Sequence, residues 1–93
     1  MNEIEVRHEP AAARFAAEVE GGTAECAYRL RGGVMDIVHT EVPHAAEGRG
    51  VAAALVRAAL VYARAQGLRV RPVCSYVQVY MRRHPDTQDL LER

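Results

Sequence analysis

A short loop with two glycines carries the strongest chemical signal in the chain. After Pro43, the segment Glu47-Gly48-Arg49-Gly50-Val51-Ala52 leads from an apolar stretch into a long alanine-rich one with helical spacing. Backbone N–H groups at a helix N-terminus lack intrahelical acceptors, and the helix dipole is positive there. Glycine also lets the backbone approach a ligand closely. The loop is therefore suited to bind phosphate, although two glycines before a helix more often form a plain turn.

The composition limits the classes of function. The 93 residues suffice for one domain, residues 1–93, and the net charge of zero without a basic block argues against a nucleic-acid binder. The start shows no secretory signal, and Arg57 and Arg64 interrupt the apolar run that follows Gly50, so no membrane span is expected. Cys26 and Cys74 are too few for a metal site or a disulfide framework. A cytoplasmic protein without a metal is the expectation.

Hydrophobic alternation predicts four strands in the first half of the chain. They cover residues 4–8, 14–20, 24–30 and 34–42, and turn-forming residues such as Pro10 and Gly21-Gly22 separate them. The fourth strand begins with residues that are apolar on both faces, so we expect it inside the sheet rather than at an edge.

The second half predicts a helix, a strand and a helix. Apolar residues at helical spacing predict a helix over residues 50–66 that Gly67 caps. A strand over residues 68–73, a helix over residues 76–84 with Ser75 as its N-cap, and a last turn over residues 87–91 follow. The order ββββαβα predicts an α/β (α+β) fold. An antiparallel meander precedes a right-handed crossover that makes strands four and five parallel in a mixed sheet.

The glycine loop resembles the acetyl-CoA signature of the GNAT acyltransferase superfamily, Gln/Arg-x-x-Gly-x-Gly/Ala. Gly50 and Ala52 match its small-residue positions, whereas Glu47 stands where Gln or Arg is usual. The whole chain is similar to very small GNAT-like proteins of about this length. The segments that carry this similarity, besides the loop, are His39-Thr40-Glu41-Val42-Pro43, Leu55-Val56, Ala63-Arg64, Cys74-Ser75-Tyr76-Val77 and Arg82-Arg83-His84-Pro85.

The resemblance implies a GNAT-like sheet that splays between strands four and five, with acetyl-CoA bound in the splay. The backbone of His39, Thr40 and Val42 would pair with the pantetheine arm. The loop would donate N–H groups to the pyrophosphate, Arg49 would add a charge-assisted bond, and Arg82 or Arg83 would reach the 3′-phosphate. The implied loop residues are Glu47, Gly48, Arg49, Gly50, Val51, Ala52 and Ala53.

The resemblance also implies catalytic roles, each with a structural alternative. Glu41 is the candidate general base, with His39 and His44 as substitutes, and a solvated carboxylate is the alternative. Cys74 is either a nucleophile that forms an acetyl-cysteine or a packed thiol. Tyr80 either protonates the leaving CoA thiolate or packs in the core.

These inferences together predict an acetyl-CoA-dependent N-acetyltransferase that acts on a primary amine, directly or through Cys74. The alternative is a non-catalytic module that binds CoA, because the chain lacks the N-terminal helices that form an acceptor pocket in larger relatives. The expected partners are an amine acceptor, small molecule or protein, without nucleic acid or membrane. A monomer or weak homodimer is expected.

Overall fold

Five strands and two α-helices follow one another in the predicted order ββββαβα in the computed structural model, which describes residues 4–92. The elements are β1 (Arg7–Glu9), β2 (Arg14–Val19), β3 (Gly22–Arg31), β4 (Val34–Glu41), α1 (Val51–Ala65), β5 (Arg69–Pro72) and α2 (Ser75–Arg83). Short 3-10 helices cover Pro10–Ala12, His44–Ala46 and Pro85–Leu90. None of the described helices is long and apolar enough to cross a membrane.

The strands form one mixed sheet in the order β1-β2-β3-β4-β5. The first four are antiparallel, and β4 and β5 are parallel, as predicted. The parallel pairing ends where Ile37 meets Pro72, and the backbone N–H groups of Val73 and Cys74 both donate to the Ile37 carbonyl oxygen at 3.0 Å. Beyond Ile37, β4 continues to Glu41 while the chain after β5 turns into α2. This separation is the expected splay.

The element bounds differ from the predicted ones by at most three residues, and three of the differences are described here. β1 begins at Arg7, three residues later than expected, because Ile4 and Val6 pack against the core ahead of the strand. α2 begins at Ser75, so the N-cap position belongs to Cys74, and the prediction that Ser75 caps this helix is wrong. The last turn is the 3-10 helix Pro85–Leu90, which starts at a proline, a residue with a φ angle suited to a first helical turn.

A β-bulge in β4 decides which of its side chains face the helices. Ala27 pairs with His39, but the next residue of β3, Tyr28, pairs with Ile37, so Val38 is an extra residue in β4. Side chains alternate along a strand, and one inserted residue reverses the alternation. Ile37 and Thr40 therefore share one face. We call it the inner face and its opposite the outer face.

Both α-helices pack on the inner face, where the hydrophobic core lies. α1 contributes Leu55, Val56 and Ala59 to the core, and α2 contributes Val77 and Met81. Sheet residues of the same core are Phe15, Ala17, Ala24, Cys26, Tyr28, Met35, Ile37 and Val70. Apolar side chains therefore fill the inner face as far as Ile37 and Pro72, where the β4–β5 pairing ends and the splay begins.

Ion pairs cover the outer face. Arg14 reaches Glu9 at 2.6 Å and Glu25 at 2.9 Å, which links β1, β2 and β3. Arg7 joins Glu18 at 2.8 Å. The two side-chain hydrogen bonds from Arg7 and Arg14 hold the pKa of the Glu9 carboxyl below its ordinary value. The two faces of the sheet therefore differ sharply in polarity.

Candidate active site

The glycine loop places an open helix N-terminus beside the splay. Gly48 and Gly50 both have a φ of 79°, a left-handed conformation that favours glycine. A Cβ atom at either position would meet nothing within 4 Å, so the space in front of both residues is open. The N–H group of Ala54 bonds the Gly50 carbonyl at 3.1 Å. The N–H groups of Val51–Ala53 precede that first helical bond and have no acceptor within the helix.

A cleft of about 380 Å³ lies between this loop, the end of β4 and the first turn of α2. The residues that line it are Thr40, Val42, Ala46, Glu47, Gly48, Gly50, Val51, Ala52, Ala53 and Tyr76. The structure thus brings together eight of the eleven residues that the resemblance implied for acetyl-CoA binding. Those that lie elsewhere are His39, Arg49 and Arg83.

Arg49 turns away from the cleft although it lies between the two glycines. Its guanidinium forms a salt bridge with the Glu20 carboxylate at 3.0 Å, beside the turn that connects β2 and β3. Arg83 is exposed in the last turn of α2, far along that helix from Tyr76 at the cleft. Neither guanidinium lines the cleft, so the phosphate-binding roles of both side chains stay predictions.

His39 and Glu41 direct their side chains to the outer face because of the bulge at Val38. The His39 Nε2 atom lies 3.3 Å from a Glu41 carboxylate oxygen and 3.9 Å from one of Glu25. Imidazole and carboxylate are metal-ligand types, and these ligand atoms lie within 4.8 Å of one another. Arg14 already pairs with Glu25, however, so the three groups also form part of the outer ion-pair network. The proposed base, Glu41, is 68% exposed.

Cys74 lies at the splay, where β5 gives way to α2. Its thiol is half-buried and donates a hydrogen bond to the Thr40 hydroxyl oxygen across 3.7 Å. Cys26, the cross-strand partner of Thr40, is fully buried in the core. Burial raises the pKa of the Cys26 thiol to about 11. Cys74 is consequently the more accessible of the two thiols, although it is not among the residues that line the cleft.

Two tyrosines one helical turn apart on α2 face different cavities. Tyr80 stacks on His84, with ring centroids 3.9 Å apart, and lines a second cavity of about 410 Å³. Burial raises the pKa of the Tyr80 phenol. Tyr76 lines the cleft itself. Sequence reasoning missed Tyr76, although its place two residues after Cys74 was a usable signal.

The similarity to known proteins agrees with this geometry. The GCN5-related N-acetyltransferase family model matches residues 14–90. Protein NATD1 of Gallus gallus and of Homo sapiens are each 34% identical over 90 residues, which span 94% of this chain and 82% and 80% of those proteins.

A solved structure has the same fold. The NMR solution structure of a GCN5-like protein from Staphylococcus aureus superposes with a TM-score of 0.72 over 99% of this chain and 91% of that chain, at 23% identity. That likeness speaks for the fold alone, and it agrees with a GNAT-like mixed sheet. From the family match and the curated relatives, the chain belongs to the GCN5-related N-acetyltransferase family.

Proposed function

We propose that the protein transfers an acetyl group from acetyl-CoA to a primary amine. One observation carries the proposal: the cleft joins an open helix N-terminus to a strand edge that has lost its partner. The first feature suits a diphosphate, and the second suits an extended arm that contains amides. Membership in an N-acetyltransferase family supports the acyl-transfer chemistry.

The backbone supplies most of the cofactor contacts in this proposal. The N–H groups of Val51, Ala52 and Ala53 donate to the diphosphate, and the positive end of the α1 dipole favours its charge. Beyond Ile37 the β4 edge has no β5 partner, so backbone groups at Thr40 and nearby residues pair with the pantetheine amides. An apolar cleft wall excludes water from the thioester.

The amine reaches the acetyl group by one of two balanced routes. In the direct route the amine nitrogen bonds the acetyl carbon, the carbon–sulfur bond to CoA breaks, and the amine proton passes to Glu41, directly or through water. In the covalent route the Cys74 thiolate first displaces CoA and forms a thioester. The amine then attacks this thioester, the carbon–sulfur bond to Cys74 breaks, and the amine proton passes to the released Cys74 thiolate, directly or through water. In both routes the CoA thiolate takes up a proton as it leaves. Tyr76 is better placed than Tyr80 to donate it, because Tyr76 lines the cleft and Tyr80 lines the second cavity.

A non-catalytic CoA-binding module is the second candidate, and one observation favours it. Among the described residues that line the cleft there is no histidine, and Glu47 is the only carboxylate. The carboxylate of Glu41 lies on the outer face, so a proton must cross the splay or pass through water to reach it. A binding module would need no such base.

Intact-protein mass spectrometry after incubation with acetyl-CoA tests the proposal. We expect non-covalent acetyl-CoA in native spectra of the wild type, and acetylation of an added amine in a screen of peptides, polyamines and small amines. A gain of one acetyl group that hydroxylamine removes, present in wild type and Cys26→Ala but lost in Cys74→Ala, identifies the covalent route.

The other outcomes are equally informative. Turnover without a covalent adduct identifies the direct route. Binding without turnover of any amine supports the binding module, and no binding at millimolar acetyl-CoA contradicts both candidates. The cytoplasmic location, the exclusion of nucleic acid and membrane, and a monomeric or weakly dimeric state stay predictions.

A further inference from the structure

The Thr40 hydroxyl lies between two thiols from neighbouring segments of the sheet. Its oxygen accepts the hydrogen bond from Cys74 at 3.7 Å, and its cross-strand partner is Cys26. The Cys26 side chain lies on the same face of the sheet and has no exposed surface. We call these residues, Cys26, Thr40 and Cys74, the thiol row.

The bulge at Val38 creates the thiol row. Without the extra residue, Thr40 would face the charged outer side, and His39 and Glu41 would face the cleft. The β4–β5 pairing ends at Ile37, next to the bulge, so the two strands part where Thr40 turns inward. β-Bulges commonly re-aim side chains at functional sites. Here the bulge directs the Thr40 hydroxyl to the inner face, where it contacts the Cys74 thiol.

The start of α2 makes no side-chain contact with the Cys74 sulfur. Cys74 occupies the N-cap position, but its sulfur accepts no capping hydrogen bond from an N–H group of the first turn. The one side-chain hydrogen bond that the structure gives this sulfur, within residues 4–92, is to Thr40. Helix N-termini can favour a thiolate, but the side-chain hydrogen bond of this sulfur is to Thr40 instead.

We propose that the Thr40 hydroxyl is a positioning residue that stabilises the thiolate form of Cys74. When Cys74 ionises, its proton passes to solvent, and the Thr40 O–H turns to donate to the sulfur. The Cys26 thiol is fully buried and burial raises its pKa to about 11, so it stays protonated and places no competing charge beside Thr40. The inference deepens the covalent route of the proposed function and rests on it.

The ionisable groups near the thiol row have opposing effects on a Cys74 thiolate. Cys26 faces it from β3, and Tyr76 lies in the first turn of α2. Glu25 and Glu41 are on the outer face of the same strands, where their charges oppose a thiolate, whereas a protonated His39 between them favours one. These groups are unchanged in a Thr40 variant, so a change in the titration of Cys74 reports on the hydroxyl.

The rate of Cys74 alkylation by iodoacetamide, measured against pH and resolved by peptide mass spectrometry, tests the proposal. Thr40→Val keeps the shape and removes the hydroxyl. We expect its rate profile to move to higher pH by about one unit, since a hydrogen bond to a charged group contributes about this much. The rate at pH 7 falls by only about threefold, because a more basic thiolate is intrinsically more reactive.

Two controls keep the result interpretable. Thr40→Ser restores the hydroxyl and should restore the wild-type profile, and Thr23→Val removes an exposed hydroxyl on the outer face and should change nothing. Should Thr40→Val fold poorly, the pH dependence of the Cys74 ¹³Cβ chemical shift in wild type and Thr40→Ser against Thr40→Ala gives the same comparison.

An unchanged profile in folded Thr40→Val, or a Thr40→Ser profile that matches Thr40→Val, contradicts the proposal. Alkylation requires no acetyl-CoA, so the test is independent of turnover. A shifted profile in a protein that acetylates no amine would uphold the role of Thr40 and reject the proposed function. Turnover through Cys74 with an unshifted profile would do the reverse.

Discussion

Two cavities lie along the pair of helices α1 and α2, and they differ in whether their polar groups already have hydrogen-bond partners in the protein. The cleft at the helix N-termini is lined by backbone of the glycine loop, whose first N–H groups have no acceptor in the helix. The second cavity is lined by Arg57, Arg64, Tyr80, His84 and Asp86 together with apolar neighbours.

Arg64 and His84, two of the polar side chains that line the second cavity, already have hydrogen-bond partners in the protein. Arg64 bonds the Asp89 carboxylate at 2.8 Å and the Asp86 carbonyl at 3.0 Å, and His84 Nδ1 contacts the Tyr80 carbonyl at 2.7 Å. A cavity whose polar groups bond each other gains less from a ligand than one whose N–H groups lack acceptors. The comparison therefore favours the cleft over the second cavity as the proposed acetyl-CoA site.

The largest effect should come from Gly50→Glu, which places a carboxylate and a side chain at the start of α1. Repulsion of the diphosphate and loss of the open space should abolish acetyl-CoA binding, measured by calorimetry. The left-handed φ of 79° costs a non-glycine residue about 1–2 kcal/mol, so the variant should remain folded.

Gly67→Glu is the matched control. Gly67 has a φ of 70°, and a Cβ there also meets nothing within 4 Å, but it follows the other end of α1. It carries the same strain and the same charge, yet acetyl-CoA affinity should be unchanged. Equal losses of affinity in both variants would show that strain, rather than the cleft, explains the result.

The two tyrosines give the next largest effect. Tyr76→Phe removes the phenol that lines the cleft and should lower kcat by about 10²-fold if Tyr76 protonates the leaving thiolate. Tyr80→Phe should leave kcat nearly unchanged, because that ring stacks on His84 in the second cavity. Steady-state kinetics with a common amine measures both. The opposite ranking would restore Tyr80 as the acid and undermine the distinction between the cavities.

A core substitution at the second cavity should change stability without changing binding. Leu90 is buried and lines this cavity, so Leu90→Ala should lower the free energy of unfolding by about 2–3 kcal/mol in urea titrations. Acetyl-CoA affinity of the folded fraction should equal that of wild type. A large loss of affinity would indicate that the second cavity contributes to the ligand site.

The smallest effect concerns an aromatic cluster whose residues line neither the cleft nor the second cavity. His8 stacks on Phe15 at 4.2 Å and shares a 2.6 Å hydrogen bond with the Tyr28 hydroxyl, and burial lowers its pKa below the ordinary 6.5. The unfolded chain then binds a proton more readily than the fold. Stability conferred by neutral His8 is complete above pH 6.5 and falls as the pH drops toward the folded-state pKa.

Urea unfolding at pH 7.5 and pH 5.5 measures this effect. Wild type should lose stability at the lower pH, and His8→Asn should lose less. The control His44→Asn changes a fully exposed ring and should keep the wild-type difference. Equal pH dependence in all three proteins would mean that His8 does not carry the effect.

Local patterns were sufficient to predict the element order and the glycine loop. Alternation and helical spacing depend on nearby residues, and the positive φ of Gly48 and Gly50 is a property that glycine itself permits. Eight of the eleven cofactor residues that the resemblance implied line one cleft, and their role in binding acetyl-CoA stays a prediction.

Features that depend on pairing between distant residues could not be predicted. The bulge at Val38 arises from the register between β3 and β4, and it sends His39 and Glu41 outward. Arg49 forms a salt bridge with Glu20, which is close in space but 29 positions earlier in the sequence. The resemblance implied Tyr80 rather than Tyr76, whereas the cavity that each ring faces depends on how α2 packs against α1.

A titration of the ¹⁵N-labelled protein with acetyl-CoA, followed by amide chemical shifts, tests the central claim most directly. We expect the largest shift changes in residues 48–53 and 39–42 and at Tyr76. Residues 57–64 and 80–90 around the second cavity should change little. Changes concentrated around the second cavity, or no changes at millimolar acetyl-CoA, would contradict the assignment of the cleft as the acetyl-CoA site.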